Sequence, residues 1–208
     1  MIKAMTPQSR IVNVDAKLPD AGKILQAARV LHNGGLVVFP TETVYGLGVD
    51  AANKAALKRL NAVKARPENK PYSLHVHSCH QVEAIVSAIP LIALRLMERF
   101  WPGPLTIVLE TEEKKTVGFR LPDHPVALAF LKACAVPVAA PSANLSGMPP
   151  PTDAKAVLES LGGAFDCLLD AGPVPIGKVS TVVSVIGNKV EVLREGALSR
   201  DDLLAATR

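Results

Sequence analysis

Cations set beside prolines are the first residues in this sequence that could do chemistry. Lys64-Ala65-Arg66-Pro67 is followed closely by Lys70-Pro71. Three cations at a helix end are ordinary partners of the helix dipole. With two prolines fixing the backbone between them, they also read as an anion clamp in which arginine supplies a planar fork and lysine a point charge. Arg120 stands alone in the apolar run Val117-Gly118-Phe119-Arg120-Leu121. An arginine there is either a snorkelling edge residue or a paired ligand anchor, because arginine is seldom buried unpaired.

Polar loops follow two of the apolar runs. Residues 40–48 (PTETVYGLG) offer two threonine hydroxyls, a carboxylate, a phenol and two glycines that permit close backbone approach. They are either an ordinary turn or a pocket wall at a strand end, where ligands bind in open α/β sheets. Residues 141–147 (PSANLSG) bring Ser142 and Asn144 straight after a short strand, against the alternative of a generic turn. Ser180 opens one late strand and Arg194 closes another. Strand alternation would place His75, His77 and Cys79 on one face, but no fourth ligand follows at a recognised spacing, so no protein-bound metal is expected. The glycine-rich phosphate loops GxxxxGK[ST] and GxGxxG are missing, as are HExxH and GxSxG, so a nucleotide would have to be held without a standard cradle.

The elements that must position these residues are legible in outline. Residues 21–33 carry apolar positions at helical spacing and stop at Gly34-Gly35. An apolar run, residues 36–39, reads as a buried strand, and Asp50 or Asn53 is expected to cap a helix over 54–64. Residues 73–77 read as a strand, 81–100 as two helical pieces split at Pro90, and 101–104 (WPGP) as a tight turn. Strands are expected at 105–109, 117–121, 136–140, 167–170, 181–186 and 189–193. Helices start at Pro125 and, capped by Thr152 or Asp153, near residue 154. Several strand pairs are adjacent, which predicts a mixed rather than a purely parallel sheet in one α/β domain.

Composition agrees with a globular protein. Of 208 residues 49% are hydrophobic and 20% charged, with aromatics at only 4%, so the core must be aliphatic. The net charge of +4 is too mild for a dedicated nucleic-acid binder but suits a positive cleft for an anionic small molecule. Three widely spaced cysteines, and no apolar stretch of signal-peptide or membrane-spanning length, lead to the expectation of a cytoplasmic protein.

In their order, PTETVYGLG, KARPENKP, LHV, WPGPLT, GFRLP, PSANLSG, STVV and LREG resemble the YrdC/TsaC family, the threonylcarbamoyl-AMP synthases of tRNA modification. The resemblance runs over about residues 22–196 of a single domain, 1–208. It implies a YrdC-like twisted mixed sheet flanked by helices, with a concave, positively charged cleft. It also implies a nucleotidyltransferase that condenses L-threonine, bicarbonate and ATP to threonylcarbamoyl-AMP and pyrophosphate. A separate transferase complex would then modify tRNA. By the same resemblance Lys64 and Arg66 are catalytic and, with Lys70, face the ATP phosphates, while Thr116, Ser142, Asn144 and Arg194 touch the nucleotide. Thr41, His75, Arg120, Ser180 and the Ala140 backbone would form the threonine pocket, with Arg120 pairing bidentately with the substrate carboxylate. Mg2+ is expected on the phosphates.

Departures from the family pattern are Ala65, where glycine is frequent, Ser184, where aspartate is frequent, and the expected lack of the extra C-terminal domain of longer synthases. The competing readings are a same-fold paralogue without synthase activity and an RNA-binding protein acting in ribosome assembly, with direct RNA contact. The Lys64 and Arg66 pair weighs against the first, and a selective threonine pocket would exclude the second.

Overall fold

The computed structural model describes residues 10–67, 71–86, 88–187 and 189–206. Strand β1 (Arg10–Asn13) leads to α1 (Ala21–His32), β2 (Val37–Pro40) and β3 (Tyr45–Asp50). Next come α2 (Lys54–Val63), β4 (Ser73–His75), α3 (His80–Glu83) and α4 (Leu91–Phe100). β5 (Leu105–Glu110), β6 (Thr116–Arg120), α5 (Pro125–Cys134) and β7 (Val138–Ala139) follow. The chain continues through α6 (Ala154–Leu161), β8 (Cys167–Asp170), β9 (Thr181–Ile186), β10 (Lys189–Arg194) and α7 (Arg200–Ala206).

Local chemistry explains most boundaries. Asp20 caps α1 by accepting from Lys23 N at 2.8 Å, and Asn53 rather than Asp50 caps α2. Asp153, the second of the two expected candidates, caps α6. The turn after α4 contains a cis Trp101–Pro102 bond. β4 ends at His75, so the alternation that would align His77 and Cys79 with it does not continue; Cys79 instead precedes α3.

The ten strands of the described residues form one mixed sheet, in the order β1-β8-β2-β3-β7-β4-β6-β5-β9-β10. The pairs β2–β3, β5–β6 and β9–β10 are antiparallel, whereas β1–β8, β2–β8, β4–β6 and β5–β9 are parallel. Around the first half of the sheet one core joins Ile24 and Leu31 of α1 to Phe130 and Leu131 of α5. Another, including Leu60 of α2 and Val157 of α6, also takes in Tyr45, Leu47 and Val49 of β3. Gly48 lets β3 and its neighbours close up, since a Cβ there would lie 2.8 Å from Val138 Cγ1 and 2.9 Å from Phe39 Cε1.

The second half is covered differently. Leu105, Ile107 and Leu109 of β5, Phe119 of β6, and Val183 and Val185 of β9 pack with Val82, Leu96 and Leu203 from α3, α4 and α7. The strand period of two sends Thr106, Val108, Thr116, Gly118, Arg120 and Val182 to the opposite face. These residues line a cleft to which no helical residue contributes among the described residues. No helix among the described residues is long and apolar enough to cross a membrane.

Candidate functional site

The cleft has a volume of about 490 Å³, within the usual range for small-molecule sites. Its floor is the open face of β4, β6, β5 and β9, and its walls are formed by residues 41–46, by Arg66, Pro71 and Tyr72, by residues 140–142 and 179–180, and by the end of β10. Arg66, Arg120 and Arg194 line it, and no carboxylate does among the described residues.

Arg120 ends β6 with its side chain almost wholly buried. Its Nη2 donates to Glu42 Oε1 at 2.8 Å and to Thr43 Oγ1 at 2.7 Å. Those two bonds use both protons of Nη2. A side-on fork requires Nε with Nη2 and an end-on fork Nη1 with Nη2, so neither is free in this arrangement. The buried Nε has no partner, and neither does Glu42 Oε2.

The hydrogen bonds beyond Arg120 run in one direction. Thr41 Oγ1 donates its single proton to Val44 O at 2.7 Å. In its 2.8 Å contact with Thr43 Oγ1, therefore, Thr43 is the donor. Thr41 lines the cleft, but its hydroxyl oxygen also accepts from Thr43 N at 3.2 Å and Val44 N at 3.3 Å, so its proton and its lone pairs are already engaged within the loop.

His75, at the end of β4, is buried beside this arginine. Burial, and then the Arg120 charge, lower its pKa to about 3, which keeps the ring neutral. Its Nδ1 is buried without a partner, and its ring meets Phe39 edge-on with centroids 6.0 Å apart. Across the cleft Ser180 Oγ lies 2.9 Å from Thr106 Oγ1. One of these two hydroxyl protons is taken up between them and the other is free for a ligand.

Arg194 reaches the cleft because β10 is irregular. Val192 pairs with Val183, but Arg194 rather than Leu193 pairs with Val182, so a bulge turns the arginine to the open face. Its Nη2 donates to Ser180 O at 2.8 Å and Ser180 Oγ at 3.2 Å. Burial, and then the charge of Arg120, lower its pKa. Gly196 makes the return possible, because a Cβ there would lie 2.3 Å from Val179 O.

The end of α2 separates its two cations. Lys64 is 2% exposed and does not line the cleft. Its ammonium donates to Ser142 O at 2.5 Å and to Asn144 O, while Ser146 N donates to Lys64 O at 2.9 Å. Lysine thus ties the 142–146 loop to the helix, and burial, followed by the Arg66 charge, lowers its pKa to about 8. Ala65 turns the chain through a left-handed conformation, φ 47°, and Arg66 emerges on the cleft wall.

Of the residues expected at the site, Thr41, Arg66, His75, Thr116, Arg120, Ala140, Ser142, Ser180 and Arg194 line one cleft. Lys64 and Asn144 stand behind it; Asn144 Nδ2 donates to Leu145 O and Met148 O, and its Oδ1 is buried without a partner. Lys70 lies outside the described residues. Sequence reasoning did not assign Glu42, Tyr72 or Thr106. Glu42 stood within PTETVYGLG and Thr106 within WPGPLT, but no spacing rule links either to the strand that it meets.

A sheet face bearing arginines and unsatisfied buried polar atoms, walled by loops, defines an α/β protein with a small-ligand cleft. The pattern of the Sua5/YciO/YrdC family, described as telomere recombination, matches residues 29–196, and the chain belongs to this family. It is 42% identical over 193 residues to threonylcarbamoyl-AMP synthase of Bacillus subtilis, an alignment covering 88% of this chain and 56% of that protein. The structure of Pyrococcus abyssi Sua5 complexed with L-threonine superposes with a TM-score of 0.89 at 39% identity, over 95% of this chain and 61% of that one. Escherichia coli YciO superposes with a TM-score of 0.81 at 27% identity, over 90% of this chain and 96% of that one. The chain thus spans little more than half the length of the Bacillus relative.

Proposed function

We propose that the chain is an L-threonylcarbamoyladenylate synthase that uses L-threonine, bicarbonate and ATP. The observation that carries this reading is the buried Arg120, which lines the same cleft as neutral His75, with Arg120 Nε and His75 Nδ1 both buried without a partner. A cation and a neutral imidazole with open hydrogen-bonding positions suit an amino acid carboxylate and its polar neighbours. The name of the Bacillus relative and the threonine held by the Pyrococcus protein support the same assignment.

In this reading threonine and bicarbonate give a carbamate with loss of water. A carbamate oxygen forms a bond to the α-phosphorus of ATP as the bond to the bridging oxygen breaks, and pyrophosphate leaves with that electron pair. Such a transfer depends on positioning and on stabilising charge. Thr41, His75, Arg120, Ala140 and Ser180 hold threonine, with Arg120 offering single contacts from Nε or Nη1 while Glu42 retains Nη2. Arg66 and Arg194 face the nucleotide from opposite walls, joined by Thr116 and Ser142. Lys64, Asn144 and Lys70 complete the phosphate side, Lys64 by releasing a loop carbonyl or by acting through that loop.

Among the described residues no group of three or more His, Cys, Asp or Glu side chains could hold a metal ion. Those residues offer no cage for an ion, and Mg2+ would arrive on ATP phosphate oxygens. The reading also treats residues 1–208 as one domain because a single sheet joins the cores. It places the protein in the cytoplasm, consistent with its three free cysteines, upstream of a tRNA threonylcarbamoyl-transferase complex. Calorimetric titration tests the pocket: threonine should bind, serine should bind less tightly, and Arg120→Ala should bind threonine much more weakly. Equal binding of the two amino acids, or of threonine by the variant, would contradict it.

A further inference from the structure

Arg66 is held on its wall by an aromatic ring that is itself anchored. The guanidinium carbon lies 4.7 Å from the centroid of Tyr72, and Nη2 donates to Pro71 O at 2.8 Å. The Tyr72 hydroxyl donates to Asn61 Oδ1. Arg66 N donates to Asn61 O at 3.0 Å. One residue in the last turn of α2 therefore holds both the backbone of the arginine and the ring beneath its side chain. Arg66 and Tyr72 both line the cleft, and the buried Arg66 Nε has no partner.

The geometry points to Tyr72 as a positioning residue for Arg66, which fixes the guanidinium before the polyphosphate of a nucleotide enters. This inference rests on the reading of Arg66 as a phosphate contact. Stacking engages the face of the guanidinium and leaves its edge donors available to an anion. A free arginine loses rotamer freedom when a ligand immobilises it, whereas one already held over a ring loses less. The bond to Asn61 keeps the ring from following the arginine into other rotamers. An aliphatic residue at position 72 would fill space without attracting the cation.

Steady-state pyrophosphate release, with ATP and threonine varied in turn, tests the role in Tyr72→Phe, Tyr72→Leu, Arg66→Ala and the Tyr72→Leu/Arg66→Ala double variant. Tyr72→Leu should raise the ATP KM on the order of 3- to 30-fold, the range that a partly desolvated cation–π contact supports, with the threonine KM within about twofold. Tyr72→Phe keeps the ring and should stay nearer the parent than Tyr72→Leu. On the Arg66→Ala background, Tyr72→Leu should add nothing. An unchanged ATP KM in Tyr72→Leu, or full additivity in the double variant, overturns the positioning role while leaving Arg66 as a phosphate contact. Unchanged ATP kinetics in Arg66→Ala overturn both. Thermal melts check folding; should Tyr72→Leu not fold, Asn61→Ala replaces it, with the same selective rise in ATP KM expected and its absence overturning the role.

Discussion

Arg120 and Glu42 form an ion pair at 2.8 Å with side chains 5% and 6% exposed, at the foot of a cleft otherwise rich in arginine. Removing either partner of such a pair leaves a buried charge uncompensated. Glu42→Ala should therefore cost about 3–5 kcal/mol of stability, read by denaturant unfolding. A cost below about 1 kcal/mol, the level of an exposed pair, would show that the pair is not buried as described.

For the ligand side of the same arginine, Arg120→Ala should raise the threonine KM far more than the ATP KM. Steady-state kinetics with each substrate varied would read this directly. Equal effects on both substrates would remove Arg120 from the threonine pocket.

The two cations of the KAR segment should fail differently. Arg66→Ala should slow turnover on the order of 100-fold in a folded protein, as expected when a charge-stabilising donor is lost. Lys64→Met should lower stability by about 2–4 kcal/mol, because the carbonyls of Ser142 and Asn144 lose a charged donor. Comparing melts and rates of the two variants separates these roles; a fully stable Lys64→Met would show that the lysine does not tie down the loop.

Ala65→Gly should stabilise the protein by about 0.5–1 kcal/mol. The exposed alanine has φ 47°, and release of left-handed strain should exceed the added entropy of the unfolded glycine. Lower stability in chemical denaturation would contradict this.

His75 should leave a signature in the pH dependence of stability. Its folded pKa is lowered to about 3 from 6.5 by burial and the Arg120 charge. Between those values the unfolded chain binds a proton that the folded protein does not, so stability falls as pH drops from 6.5 toward 3. The slope is at most about 1.4 kcal/mol per pH unit. Urea unfolding of His75→Gln should lack this component; an identical slope in both proteins would mean that His75 titrates normally.

Much of the frame was legible because short-range signals specify it. Pro125 begins α5, Asp153 caps α6, and the apolar residues of β5, β6 and β9 alternate as strands must. β3 was hidden because Gly46 and Gly48 occupy the alternate positions, so its period of two reads as a glycine turn. The short β1 lacks alternation strong enough to stand out, whereas α7 carries a cap in Ser199 and Asp202 that went unread. At the site, the cluster of arginines was readable, but the pairing of Arg120 with Glu42 depends on contact across 78 residues of chain. Nor does a strand pattern foretell the bulge that turns Arg194 into the cleft.

The most direct measurement is pyrophosphate release from ATP with threonine and bicarbonate each supplied or omitted. Release that requires both, with serine a poor substitute, is the predicted result. A folded protein that binds ATP yet releases no pyrophosphate, or releases it without threonine, would contradict the synthase assignment.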